Sequence, residues 1–116
     1  MRVLFVCSRN QWRSPTAERV FAGRAGLETR SRGVSRTARR RLSRADVAWA
    51  DVILVREDEH LERLMEGFRA VVGDTPVFVL DVADEYRYMD PELVAELEAA
   101  AGPLIERVRR ARGEGR

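Results

Sequence analysis

Apolar positions fall into short runs separated by polar, glycine- and proline-marked breaks. "VLFV" at 3–6, "DVILV" at 51–55 and "VFVLD" at 77–81 are rich in β-branched and aromatic residues and end in polar segments, so they predict buried strands, the first spanning Arg2–Val6. Leu27–Ser31, with Gly33 after it, predicts a further strand. Between these runs the spacing changes to that of helices. Ser14 and Pro15 form a cap-then-proline signal for a helix over 15–24, with Ala17, Val20, Phe21 and Arg24 on one face and Gly23 and Gly26 at its end. Ser43 is placed to cap a helical turn over 45–49. Leu61, Leu64, Met65 and Phe68 mark a helix over 57–68, and Asp90 with Pro91 starts a last helix reaching about Arg110. The basic segment 36–46 reads as a short helix or loop, 82–89 as a loop, and the tail "GEGR" as frayed.

Strands alternating with helices imply βαβ units, and so a parallel sheet covered on both faces: an α/β fold in a single domain, 1–116. Ligands in such folds bind beyond the carboxyl ends of the strands. Cys7 follows the first strand and Asp81–Tyr86 follows the last, so the topology is expected to bring both to one edge. No apolar run approaches a membrane span, and 3–6 is too short for a secretory core; a cytoplasmic protein without a membrane partner is expected.

Charge changes this picture more than composition does. The chain has no lysine, and its net charge of +2 hides a segregation. Residues 1–44 carry 12 arginines against Glu18 and Glu28, a balance of +10, whereas residues 45–116 carry 9 arginines against 17 acids, a balance of −8. A positive field over the first part would draw anions. Cys7 is the sole cysteine and His60 the sole histidine. An intramolecular disulfide and a multi-thiolate metal site are therefore excluded, and neither metal nor cofactor is expected.

The candidate chemistry lies in "VCSRNQWRSPTAE", 6–18. Cys7, five intervening residues, Arg13 and Ser14 give the spacing of a phosphate cradle. Loop amides and the start of the following helix would face an anion, and Arg13 would fork onto two phosphate oxygens. A thiol in that field would rest as a thiolate, a nucleophile aimed at phosphorus. Ser14 would hydrogen-bond Cys7, and Asn10 suits a positive-φ position. The loop is no Walker motif, since its glycines and Lys-Ser/Thr pair are missing.

These residues resemble the signature of the low-molecular-weight protein tyrosine phosphatases, C-x-x-N-x-x-R-S-P at the end of a first strand, matched by Cys7, Asn10, Arg13, Ser14 and Pro15. The stretches 37–55 and 80–86 are similar to the family's arginine-containing segment and to the loop carrying its general acid. The resemblance implies a flavodoxin-like three-layer sandwich with a four-stranded parallel sheet and a phosphate-binding loop after strand 1. It also implies hydrolysis of phosphotyrosine or aryl phosphate monoesters through a phosphocysteine. Cys7, Arg13 and an acid would be catalytic; Ser8, Arg9, Asn10, Gln11, Trp12, Ser14 and Tyr86 would bind substrate. The acid is expected at Asp84, which precedes Glu85 and Tyr86 as the family's acid precedes Pro and an aromatic; Asp81 and Glu85 stay open, while Asp90 is accounted for as a helix cap. The chain departs from the family at Arg9, Gln11 and Trp12, lacks the backup cysteine, and has no Asp-Pro pair in the acid loop.

A phosphorylated protein or small aryl phosphate is thus the expected partner, with inorganic phosphate as product and inhibitor, and a monomer or weak homodimer as the assembly. Three other readings remain. Arsenate reduction on the same fold would need an external thiol. A phosphocysteine carrier would pass phosphate to a partner. A phosphoanion- or RNA-binding module would not turn over, and against nucleic acid stands the lack of an aromatic-rich RNA motif. His60, in a charged helix, is expected at the surface, Trp49 beside Val47 in the core, and Arg39, Arg40 and Arg41 on a solvated face.

Overall fold

In the computed structural model, which describes residues 1–24, 26–82 and 86–113, the first strand β1 spans Arg2–Cys7 and is buried from Val3 to Cys7. Its side chains alternate between two cores. Val3 and Phe5 face one, where α1 (Arg13–Phe21) and α4 (Pro91–Ala111) pack, and Phe5 stacks on Phe21 with ring centroids 5.8 Å apart. Leu4 and Val6 face the other, with Val47 from α2 (Arg44–Trp49) and Leu64 from α3 (Asp58–Val72). With β2 (Glu28–Gly33), β3 (Val52–Val55) and β4 (Val77–Val79) the sheet has the order β2-β1-β3-β4, and every pairing is parallel. This is the flavodoxin-like arrangement the resemblance implied, with helices on both faces. No helix among the described residues is long and apolar enough to cross a membrane.

The elements follow the sequence signals closely, and the exceptions have physical causes. Ser43 caps α2 through a reciprocal box with Asp46, and Asp90 caps α4 with Pro91 at its first position. Ser14, expected as the cap of α1, is instead inside the helix: α1 begins at Arg13 with Trp12 at the cap position and no side-chain cap bond. The Ser14 hydroxyl is used elsewhere, as described below. Pro15 is still tolerated there because the first-turn amides have no helical acceptor. α3 continues past the expected end at Phe68, where the backbone leaves helical geometry (φ −135°, ψ 16°) before the helix resumes.

His60 corrects the expectation of a surface histidine. It is 1% exposed, and it lies one turn before the fully buried Leu64 on the inner face of α3. Trp49 is only partly buried: it packs at the margin of the second core, with the Arg30 guanidinium 4.2 Å from its ring centroid.

The end of β1 meets the end of β2 at Gly33, which pairs with Cys7. A β-carbon at Gly33 would stand 2.5 Å from the Ser8 carbonyl oxygen and 2.6 Å from the Ala38 β-carbon. Glycine here lets residues 8–9 and 35–39 close on each other, with Ser35 N–H donating to Ser8 O at 2.9 Å and Arg39 N–H to Arg9 O at 3.1 Å. Gly33→Ala is expected to cost about 1–3 kcal/mol through this forced contact. The melting temperature should fall by several degrees, and the Cys7 loop should lose affinity for phosphate; an unchanged melting curve would show that the contact relaxes freely.

Candidate active site

At the carboxyl edge of the sheet the chain turns through residues 8–12 around the Cys7 sulfur. Asn10 makes the turn possible by adopting φ +57°, a region asparagine tolerates better than most residues. Its backbone N–H then donates to Cys7 Sγ at 3.2 Å. Ser14 Oγ, carried by the first turn of α1, lies 2.8 Å from the same sulfur. The direction of that bond follows from its surroundings. Arg40 Nε donates to Asn10 Oδ1 at 3.1 Å, which turns the Asn10 amide nitrogen toward Ser14, and Asn10 Nδ2 donates to Ser14 Oγ at 3.0 Å. The serine oxygen is thereby an acceptor for asparagine and keeps its own proton for the sulfur. A thiolate at this position has two donors aimed at it.

Arg40 is itself fixed. Its Nη2 donates to Ser31 Oγ at 2.8 Å and to Glu18 Oε1 at 3.1 Å, and Ser31 Oγ donates to Glu18 Oε1 at 2.6 Å. Of the three consecutive arginines expected on a solvated face, Arg40 is exposed as expected and also supports the loop. Its pairing with Glu18 offsets one unit of the positive charge of 1–44.

The sulfur opens onto a cleft of about 340 Å3 lined by Cys7, Ser8, Arg9, Gln11, Trp12 and Arg13, with Arg56, Glu57, Glu59 and His60 opposite. Of the sequence-derived candidates, Ser8, Arg9, Gln11, Trp12 and Arg13 therefore stand together around Cys7. Asn10 and Ser14 are buried behind the sulfur rather than in the cleft. Tyr86 is half-buried against the core of α1 and α4 and does not line the cleft. Asp81 is exposed with φ +56°, outside the cleft lining. Asp84 and Glu85 lie outside the described residues.

Sequence reasoning missed the opposite wall. Arg56 directly follows β3, at the edge where ligands bind in such sheets, and that position was its signal. Its guanidinium is buried, donates from Nη1 to Val82 O at 2.9 Å and pairs with Glu57. Its backbone N–H donates to Val6 O at 3.0 Å, so one residue ties the strand leading to Cys7 to the segment that follows β4. His60 gave its signal through the four-residue spacing to Leu64.

No protein-family model matches the sequence, and no curated protein matches it. Solved structures do. An arginine phosphatase from Geobacillus stearothermophilus, YwlE, superimposes with a TM-score of 0.76 at 23% identity, over 99% of this chain and 97% of its own. A low molecular weight protein tyrosine phosphatase from T. tengcongensis gives a TM-score of 0.75 at 24% identity, over 92% and 99%. A cysteine-to-serine mutant of a YwlE arginine phosphatase, whose active site serine is phosphorylated, gives 0.70 at 22% identity, over 94% and 96%.

The chain has the fold of the low-molecular-weight protein tyrosine phosphatases.

Within that phosphatase fold the turn at residues 8–12 is held by side chains behind it, and Asn10 is the hub. Asn10→Ala removes two side-chain hydrogen bonds and places a β-branched-free but chiral residue at positive φ. A loss of about 1–3 kcal/mol is expected from the unpaired partners, together with weaker protection of Cys7 from iodoacetate by phosphate. Asn10→Gly should recover only the backbone part of the loss. Equal stability of all three proteins would show that the hub is not used.

Proposed function

We propose that the chain is a cysteine-dependent phosphatase of the low-molecular-weight tyrosine phosphatase type, hydrolysing phosphotyrosine or aryl phosphate monoesters through a phosphocysteine. The observation that carries this reading is the buried Cys7 sulfur, faced by the Ser14 hydroxyl at 2.8 Å and the Asn10 amide at 3.2 Å, at the head of a cleft that Arg13 also lines. A fold shared with phosphatases supports it.

In this reading the phosphoryl group enters the cleft with its oxygens toward the loop amides and the guanidinium of Arg13. Cys7 Sγ attacks phosphorus, the S–P bond forms and the P–O ester bond breaks. The electron pair goes to the departing oxygen, which takes a proton from an acid of the segment after β4, Asp84 or Asp81. Water then attacks phosphorus, giving its proton to the carboxylate just formed. The S–P bond breaks, and Ser14 and Asn10 receive the returning thiolate with bonds already in place. Because those donors are preorganised, charge developing on sulfur meets them without rearrangement. Ser8, Arg9, Gln11 and Trp12 would contact substrate, whereas Tyr86 stands outside the cleft lining. Inorganic phosphate is the expected product and inhibitor, and a cytoplasmic monomer or weak homodimer the expected form.

Phosphoarginine is the second substrate to assay. A phosphatase of arginine is among the structures sharing the fold, and Glu59, beside the Arg56-paired Glu57, lines the cleft, where a departing guanidinium would meet a carboxylate. Arsenate reduction is less favoured, since Cys7 is the sole thiol in the chain.

The test is turnover of p-nitrophenyl phosphate by wild type and Cys7→Ser. A loss of at least about a thousandfold is expected when a nucleophile is removed, with vanadate binding retained; residual activity near that of wild type would place the nucleophile elsewhere. For the acid, Asp84→Asn should slow a phosphotyrosine peptide by about 10²–10⁴-fold and p-nitrophenyl phosphate much less, because nitrophenolate leaves without a proton. If Asp81→Asn shows that leaving-group dependence instead, the roles are exchanged.

A further inference from the structure

The large hydrophobic side chains exposed among the described residues are Trp12, Tyr88 and Met89. Trp12 lines the Cys7 cleft. The Thr16 hydroxyl donates to the Trp12 carbonyl and accepts from the Met89 N–H at 2.9 Å, and the Arg87 guanidinium lies 5.9 Å from the Trp12 ring centroid. Beyond Tyr88 runs a second open groove of about 460 Å3, lined by Glu18, Arg19, Arg39 and Arg40 among others. The backbone joins the two depressions: Arg39 N–H donates to Arg9 O at 3.1 Å, and Arg9 lines the cleft while Arg39 lines the groove.

The charge of the groove is uncompensated. Glu18 is the acid that lines it, and its carboxylate is already taken by Ser31 and Arg40. Arg19 and Arg39 are exposed and make no ion pair among the described residues, and the same holds for Arg9 and Arg87 at the cleft mouth. Guanidiniums left unpaired beside exposed aromatic faces suit a ligand that brings carboxylates and apolar contact together, which an acidic peptide does. A nucleic acid fits less well, since Tyr88 is the aromatic side chain lining the groove and stacking platforms use several.

We propose that the groove lined by Arg19, Arg39 and Tyr88 docks an acidic segment of a phosphorylated protein whose phosphoresidue occupies the Cys7 cleft. The inference rests on the phosphatase reading and narrows its substrate from free aryl phosphates to phosphoproteins with acidic flanks.

The test compares one phosphopeptide with aspartate and glutamate flanks, the same peptide with neutral flanks, and p-nitrophenyl phosphate. Each is assayed at low and high salt with wild type and with the Arg19→Glu/Arg39→Glu double variant, whose changed side chains are exposed. Wild type is expected to favour the acidic peptide by about tenfold in kcat/KM at low salt, through KM, and less at high salt, as screening of exposed charges requires. The double variant should lose that preference and keep its rate on p-nitrophenyl phosphate. A wild type that hydrolyses p-nitrophenyl phosphate but treats the two peptides alike overturns the docking and leaves the phosphatase reading intact. A preference that survives in the double variant also overturns it. If no substrate turns over, the phosphatase reading fails, and anisotropy of the labelled acidic peptide reads the groove directly. Salt-sensitive binding lost in the double variant supports the docking surface, whereas binding of a single-stranded RNA oligonucleotide in place of the peptide rejects it.

Discussion

A buried sulfur able to accept negative charge would require donors fixed around it before any substrate arrives, because an unpaired charge in the interior is costly. Here that requirement is met by Ser14 Oγ at 2.8 Å and the Asn10 amide at 3.2 Å, and much of the carboxyl edge of the sheet follows from it. Asn10 reaches the sulfur only at positive φ. It keeps its amide turned correctly only because Arg40 holds Oδ1, and Arg40 is held by Glu18 and Ser31. Ser14 reaches the sulfur only because α1 starts one residue before it, leaving the helix without a side-chain cap. The loop closes against β2 only because Gly33 has no side chain.

The charge segregation acquires a spatial meaning in the same network. Arg40 and Arg56 are structural cations, offset by Glu18 and Glu57 respectively. Arg13 and Arg9 line the cleft, and Arg19 and Arg39 line the neighbouring groove. The arginine excess of residues 1–44 thus divides into Arg40, which shapes the loop, and cations that face outward. The guanidiniums of Arg9, Arg13 and Arg56 at the cleft carry geometric information that ammonium groups would not, since planar forks hold acceptors in fixed directions.

The flavodoxin-like sheet was implied by the family resemblance alone, and the polar β2 carries no apolar-run signal. β1, β3 and β4 were legible because each is a short, bounded apolar run, and the parallel topology follows from alternation with helices. The position of Cys7 at the carboxyl edge, and the positive φ of Asn10, were legible for the same reason: local chemistry determines both. What escaped was tertiary. Nothing local separates Arg40 from Arg39 and Arg41, and only packing against Asn10 and Ser31 does so. His60 was read from its charged neighbours in α3, when its spacing to Leu64 was the stronger sign. Arg56 was passed over because an arginine after a strand reads as a surface residue, whereas here its backbone and guanidinium join β1 to the segment after β4. Serine before proline is usually a cap, and at Ser14 the bond to the sulfur outweighs that local preference.

The covalent intermediate is the most direct measure of whether this arrangement does what its geometry suits. Wild type mixed with p-nitrophenyl phosphate, quenched in acid within the first turnovers and digested, should yield a peptide containing Cys7 heavier by one phosphoryl group. Its phosphorus resonance should be that of a thiophosphate ester. The adduct should be absent from Cys7→Ala treated in the same way. Turnover with no phosphoryl group on Cys7, or with the group found on another residue, would contradict a nucleophilic role for this sulfur.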